Sequence, residues 1–107
     1  MDDALKQRIE AEIKKSPITL FMKGNPDFPQ CGFSAGAVEC LQRAGATFHA
    51  VDVLADWDIR EGIKEYSSWP TIPQIYINGE FIGGFDILRD LYESGELEKL
   101  IAAAQSA

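Results

Sequence analysis

With 107 residues, 46% of them hydrophobic and 25% charged, the chain has the size and balance of one soluble globular domain, residues 1–107, with one core. A net charge of −7 with no basic stripe argues against nucleic acid as a partner, and apolar runs of about five residues fall far short of a membrane span. Two cysteines are too few for a secreted disulfide scaffold, and Met1-Asp2-Asp3 carries no signal or transit pattern, so a reducing cytoplasmic compartment is expected.

Leu5, Ile9 and Ile13 recur every four residues, the stripe of a helix that Asp2 or Asp3 would cap and Ser16-Pro17 would end. Ile18 to Met22 reads as a buried strand. A second helix starts near Cys31 and buries Phe33, Ala37, Val38 and Leu41, with Gly45 as its stop. Phe48 to Val53 is a second strand, parallel to the first because a helix connects them. Asp56 caps a third helix with Ile59, Ile63 and Tyr66 inward. Gln74 to Ile77 and Glu80 to Ile82 flank Asn78-Gly79, the signature of a type I′ hairpin. Gly83-Gly84 leads into a fourth helix, Ile87 to Ser94; Gly95 breaks it, and Leu97, Leu100 and Ile101 mark a short last helix. The order α-β-α-β-α-β-β-α-α predicts an α/β domain, a four-stranded mixed sheet flanked by about five helices. With a cysteine after the first strand, it is a thioredoxin-like architecture.

Cys31 is the most informative residue. A thiol at a helix mouth faces unpaired N–H groups and the positive end of the helix dipole, which favour the thiolate. Ser34 stands where a second cysteine would complete a C-x-x-C pair, so this thiol needs a sulfur from another molecule. Nine residues along the helix carry Cys40 about 13.5 Å and roughly 180° from Cys31, beyond the Cα separation a disulfide tolerates. Cys40 is therefore expected in the core. His49 is the only histidine, which excludes a His-rich metal site and leaves it as a strand or surface residue.

Three further features belong with the thiol. Trp69-Pro70-Thr71-Ile72-Pro73 brings a proline into a strand. A cis Ile72–Pro73 bond is expected; it would leave the Ile72 backbone free to pair with an extended peptide, and a trans proline at a strand edge is the alternative. Gly83-Gly84-Phe85-Asp86 opens a helix. There Asp86 is a helix cap, an acceptor for a ligand ammonium, or both, and free helix N–H groups would take a carboxylate. Lys23 and Arg60 are isolated cations, each readable as a solvated charge or as a carboxylate partner. Spacing alone does not bring them together.

Four runs carry a resemblance: Phe21-Met22-Lys23-Gly24, Pro29-Gln30-Cys31-Gly32-Phe33-Ser34, Trp69 to Gln74 and Asn78 to Gly84. Together and in this order they make the chain resemble the monothiol glutaredoxins of the Cys-Gly-Phe-Ser class over nearly its full length. The resemblance implies a glutaredoxin fold and glutathione bound through positions matching Lys23, Arg60, Ile72, Phe85 and Asp86. It also implies Cys31 as redox thiol and cluster ligand, and a [2Fe–2S] cluster shared by two chains in a homodimer. The implied role is iron–sulfur cluster assembly and delivery to apo recipient proteins, with BolA-like partners. The loop Gly24 to Gln30 resembles the extended loop of the class. One departure stands out: many members have cysteine where this chain has Phe85. A [2Fe–2S] cluster commonly takes four thiolates; two chains supply two, and two glutathione thiols complete the set. The competing reading is an enzyme that removes glutathione from protein mixed disulfides, with Cys31 as sole nucleophile.

Overall fold

The computed structural model describes residues 1–106. Four strands, β1 (Ile18–Met22), β2 (His49–Asp52), β3 (Gln74–Ile77) and β4 (Glu80–Gly83), form one sheet in the order β2-β1-β3-β4. β1 and β2 are parallel, joined through helix α2 (Gly32–Arg43); β1–β3 and β3–β4 are antiparallel. Asn78 and Gly79 both have positive φ, 52° and 80°, as the two-residue hairpin between β3 and β4 requires.

Alternation along the strands divides the core between the two faces of the sheet. Ile18, Leu20 and Met22 of β1 and Ile75 and Ile77 of β3 pack with α2, α4 (Phe85–Ser94) and α5 (Glu96–Ser106). Phe21 and Tyr76 face the opposite side, against α1 (Asp3–Ile13) and α3 (Trp57–Ser67). Both faces are covered, so all five residues of β1 are buried.

The helix caps follow the sequence signals. Asp2 accepts from the Leu5 N–H at 2.7 Å and Asp56 from the Ile59 N–H at 3.2 Å. Three details differ from the expectations. Phe33 is 63% exposed rather than buried; it sits in the first turn of α2, against Phe85 rather than in the core. α4 begins at Phe85 with Gly84 as its cap residue, so Asp86 lies inside the first turn and does not cap it. The last helix is not short, because Ala102 to Gln105 extend it to Ser106 on intrinsic helix preference.

Candidate functional site

Cys31 is the N-cap residue of α2, held in extended backbone conformation (φ −153°, ψ 155°). Its Sγ accepts from the Ser34 N–H at 3.3 Å and lies 3.3 Å from Ser34 Oγ. Ser34 is fully buried, and its Oγ also accepts from the Lys23 N–H at 3.0 Å. A neutral thiol donates to this oxygen. A thiolate instead receives the hydroxyl proton, while Oγ keeps its bond from Lys23. Burial opposes ionisation of Cys31. The Ser34 hydroxyl, the N–H groups of Ser34 and Phe33 and the charge of Lys23 outweigh it, and the thiol titrates below its ordinary value. Cys40 is different: burial and the nearby Glu39 and Glu93 push its thiol up. It is 8% exposed, among the core residues between the sheet, α2 and α4, and neither cysteine is in a disulfide.

Beside the thiol lies a cleft of about 440 Å³, lined by Lys23, Phe33, Arg60, Lys64, Trp69 to Pro73, Gly84, Phe85, Asp86 and Ile87. Cys31 does not line it; its neighbour Phe33 and its electrostatic partner Lys23 do. The cleft thus brings together all five residues the sequence proposes for a ligand. Lys23 follows β1 directly and Arg60 lies one turn into α3, so the parallel pairing of β1 with β2 brings the two cations to one edge. The guanidinium of Arg60 lies over the Trp57 ring at 5.2 Å, and its Nε is shielded from solvent with no hydrogen-bond partner among the described residues. The Ile72–Pro73 bond is cis, and no hydrogen bond among the described residues uses the Ile72 backbone. α4 starts without a side-chain cap, which leaves its first N–H groups facing the cleft. The Asp86 carboxylate is exposed, 3.8 Å from Arg89.

The Phe85 ring packs at 6.1 Å against Phe33 and beneath Arg89 at 5.7 Å. It occupies space that only a glycine leaves open: a Cβ on Gly36 would come within 2.4 Å of its Cε1.

Sequence reasoning missed four contributors. Lys64 falls four residues after Arg60, so helix periodicity alone puts it on the same face. Ser34 is three residues after the cap, the place from which a side chain reaches back. Trp69 was visible only as part of its proline-rich run. Gly36 had no local signal, because its partner lies far along the chain.

Helices on both faces of a four-stranded mixed sheet, a cis-proline loop and one activated thiol at a helix mouth define a thioredoxin-like protein with single-thiol chemistry. The glutaredoxin family profile matches residues 18–82. The chain is 50% identical to a ycf64-like monothiol glutaredoxin of Synechocystis over 104 residues, covering 97% of both chains. It is also 50% identical to the mitochondrial monothiol glutaredoxin-5 of Saccharomyces cerevisiae, covering 95% of this chain and 70% of that one. The solution structure of reduced poplar apo GrxS14 superposes with a TM-score of 0.83 at 47% identity, over 96% of this chain and 94% of that one. The chain belongs to the glutaredoxin family, among its monothiol members.

Proposed function

We propose that this protein carries [2Fe–2S] clusters, binds glutathione in the cleft beside Cys31, and acts in iron–sulfur cluster assembly and transfer. The observation that carries the reading is the isolation of Cys31. It is activated, half-buried and hydrogen-bonded to a buried serine, while the other cysteine lies in the core with a raised pKa. Among the described residues no three His, Cys, Asp or Glu side chains converge on one point. A cluster carried as cargo would take one Cys31 thiolate from each of two chains and its remaining sulfurs from two glutathiones. Ligands from outside the chain make it easy to release.

The cleft suits glutathione group by group. Lys23 and Arg60, both in the cleft wall, supply cations for a carboxylate. The unused Ile72 backbone offers a peptide edge. The open start of α4 at Phe85 accepts the other carboxylate, and the Asp86 side chain takes the ammonium. A BolA-like protein and apo recipient proteins are the partners proposed. No helix among the described residues is long and apolar enough to cross a membrane; a cytoplasmic location is proposed with the rest.

Anaerobic reconstitution with iron, sulfide and glutathione tests the reading. Cys31→Ser should lose visible absorption, iron and sulfide together, and Cys40→Ser should keep all three. A Cys31→Ser protein with normal iron and sulfide overturns the assignment.

The lowered pKa of Cys31 favours a second reading. The thiolate would attack the glutathione sulfur of a protein mixed disulfide, expelling the protein thiolate and forming Cys31–S–S–glutathione. A second glutathione thiolate would then attack that glutathionyl sulfur, releasing glutathione disulfide and regenerating the Cys31 thiolate. Protein purified anaerobically without colour, yet active in this exchange, would favour the enzyme over the carrier.

A further inference from the structure

We propose that Asp52 is a positioning residue that sets the distance between the two cations of the cleft. The inference rests on the reading that the cleft binds glutathione. Asp52 is the last residue of β2, in register with Met22 at the end of β1. Its Oδ1 accepts two backbone hydrogen bonds, from Gly24 N–H at 3.0 Å and from Leu54 N–H at 2.9 Å. These donors belong to the two segments that carry the cations.

Gly24 directly follows Lys23. It is buried, has φ +87°, and sits where a Cβ would meet the Phe28 carbonyl at 2.4 Å. The last backbone bond between the two segments runs from Val53 N–H to the Met22 carbonyl at 2.9 Å, and the carboxylate takes over beyond it. Lys23 is then fixed at successive backbone atoms: its N–H donates to Ser34 Oγ at 3.0 Å, its carbonyl accepts from Gln30 N–H at 2.8 Å, and the next N–H goes to Asp52. On the other side, Leu54 leads to Asp56, the cap of α3, with Arg60 in the helix's first full turn. One oxygen therefore ties the Lys23 loop to the start of the Arg60 helix. Asp52 is absent from the cleft wall. Its effect on a ligand passes through these backbone bonds.

The test compares Asp52→Asn, which keeps the acceptor oxygen without the charge, with Asp52→Ala, which removes both. Asp52→Glu keeps the charge but moves the oxygen by one methylene. Amide hydrogen exchange of Gly24 and Leu54 reads the clamp, glutathione titration by calorimetry reads its consequence, and thermal melting reports the fold. Wild type and Asp52→Asn should protect both amides and bind glutathione within about twofold of each other. Asp52→Ala and Asp52→Glu should lose protection at both amides and bind about tenfold more weakly, the scale of one charge-assisted hydrogen bond. Retained amide protection in Asp52→Ala overturns the proposal. So does undiminished glutathione affinity once protection is lost, or an Asp52→Asn protein as impaired as Asp52→Ala. Wild-type protein that does not bind glutathione contradicts the function proposed above, and the amide exchange then still decides whether the clamp exists.

Discussion

At Cys31 the decisive partner is Ser34, which occupies the position of the missing second cysteine and turns it to a different use. Its hydroxyl joins the thiol to the Lys23 backbone, so the thiol and the residue whose charge favours its ionisation share one buried oxygen. Ser34→Ala should raise the Cys31 pKa, because one of the groups holding the thiolate is lost. The pH dependence of alkylation by iodoacetamide measures it, and an unchanged profile would contradict the role. The same depressed pKa links ionisation to stability. Between the folded value and the higher value of an ordinary thiol, only the unfolded chain binds the proton, so stability rises with pH across that window. The contribution is complete above the ordinary thiol value and lost as pH falls through the folded one; Cys31→Ser should flatten this segment of a denaturant-midpoint profile. Gly36 offers a separate test. An added methyl collides with the Phe85 ring, so Gly36→Ala should weaken glutathione binding although alanine is the better helix former. In a Phe85→Ala background the same change should do little, a coupling of about 0.5 kcal/mol or more. Equal losses in both backgrounds would show that the ring is not the cause.

Between elements, polar links complement the two core clusters. Glu12 of α1 reaches His49 at the start of β2, with Nε2 and Oε2 2.5 Å apart, and also Lys15 at 2.9 Å. Burial opposes its ionisation, but the bonds from His49 and Lys15 prevail and hold the carboxyl below its ordinary value. A depressed carboxyl contributes stability that is present above the ordinary glutamate pKa and lost as pH falls through the folded one. Glu12→Gln should remove that slope from urea midpoints measured between about pH 3 and 6, and a slope identical to wild type would contradict the link. Most elements were legible because their signals are local. Leu5, Ile9 and Ile13 mark α1, Asp56 marks the start of α3, and Asn78-Gly79 fixes the hairpin. What escaped depends on distant partners or on direction. Phe33 has the right spacing for a core residue, yet the first turn of α2 points it at the cleft. Asp86 has the right chemistry for a cap, but Gly84 already occupies that place. Only the resemblance put the five candidate positions into one glutathione site; spacing alone did not. Lys23 and Arg60 meet through the adjacency of β1 and β2, and the pairing of β3 with β1 and of β4 with β3 brings in Ile72, Phe85 and Asp86.

Seen whole, the molecule places three of its exposed large apolar side chains at the cleft, while others, Phe28, Leu54, Trp57 and Leu100 among them, do not line it. Phe33, Trp69 and Ile87 all line the cleft, at 63%, 42% and 43% exposure. The chain as a whole carries a net charge of −7, which opposes self-association. The cluster-free chain should therefore be monomeric, and two copies should meet only where a shared ligand holds them, so that assembly follows ligand concentration. Removal of iron by a chelator should return the dimer to monomer. Analytical ultracentrifugation under anaerobic conditions, with iron and sulfide quantified in each sedimenting species, addresses the shared-cluster claim directly. The account predicts an apo monomer that becomes, with glutathione, iron and sulfide, a dimer holding one [2Fe–2S] cluster per two chains. A stable apo dimer, or a cluster-loaded species that sediments as a monomer, would contradict it.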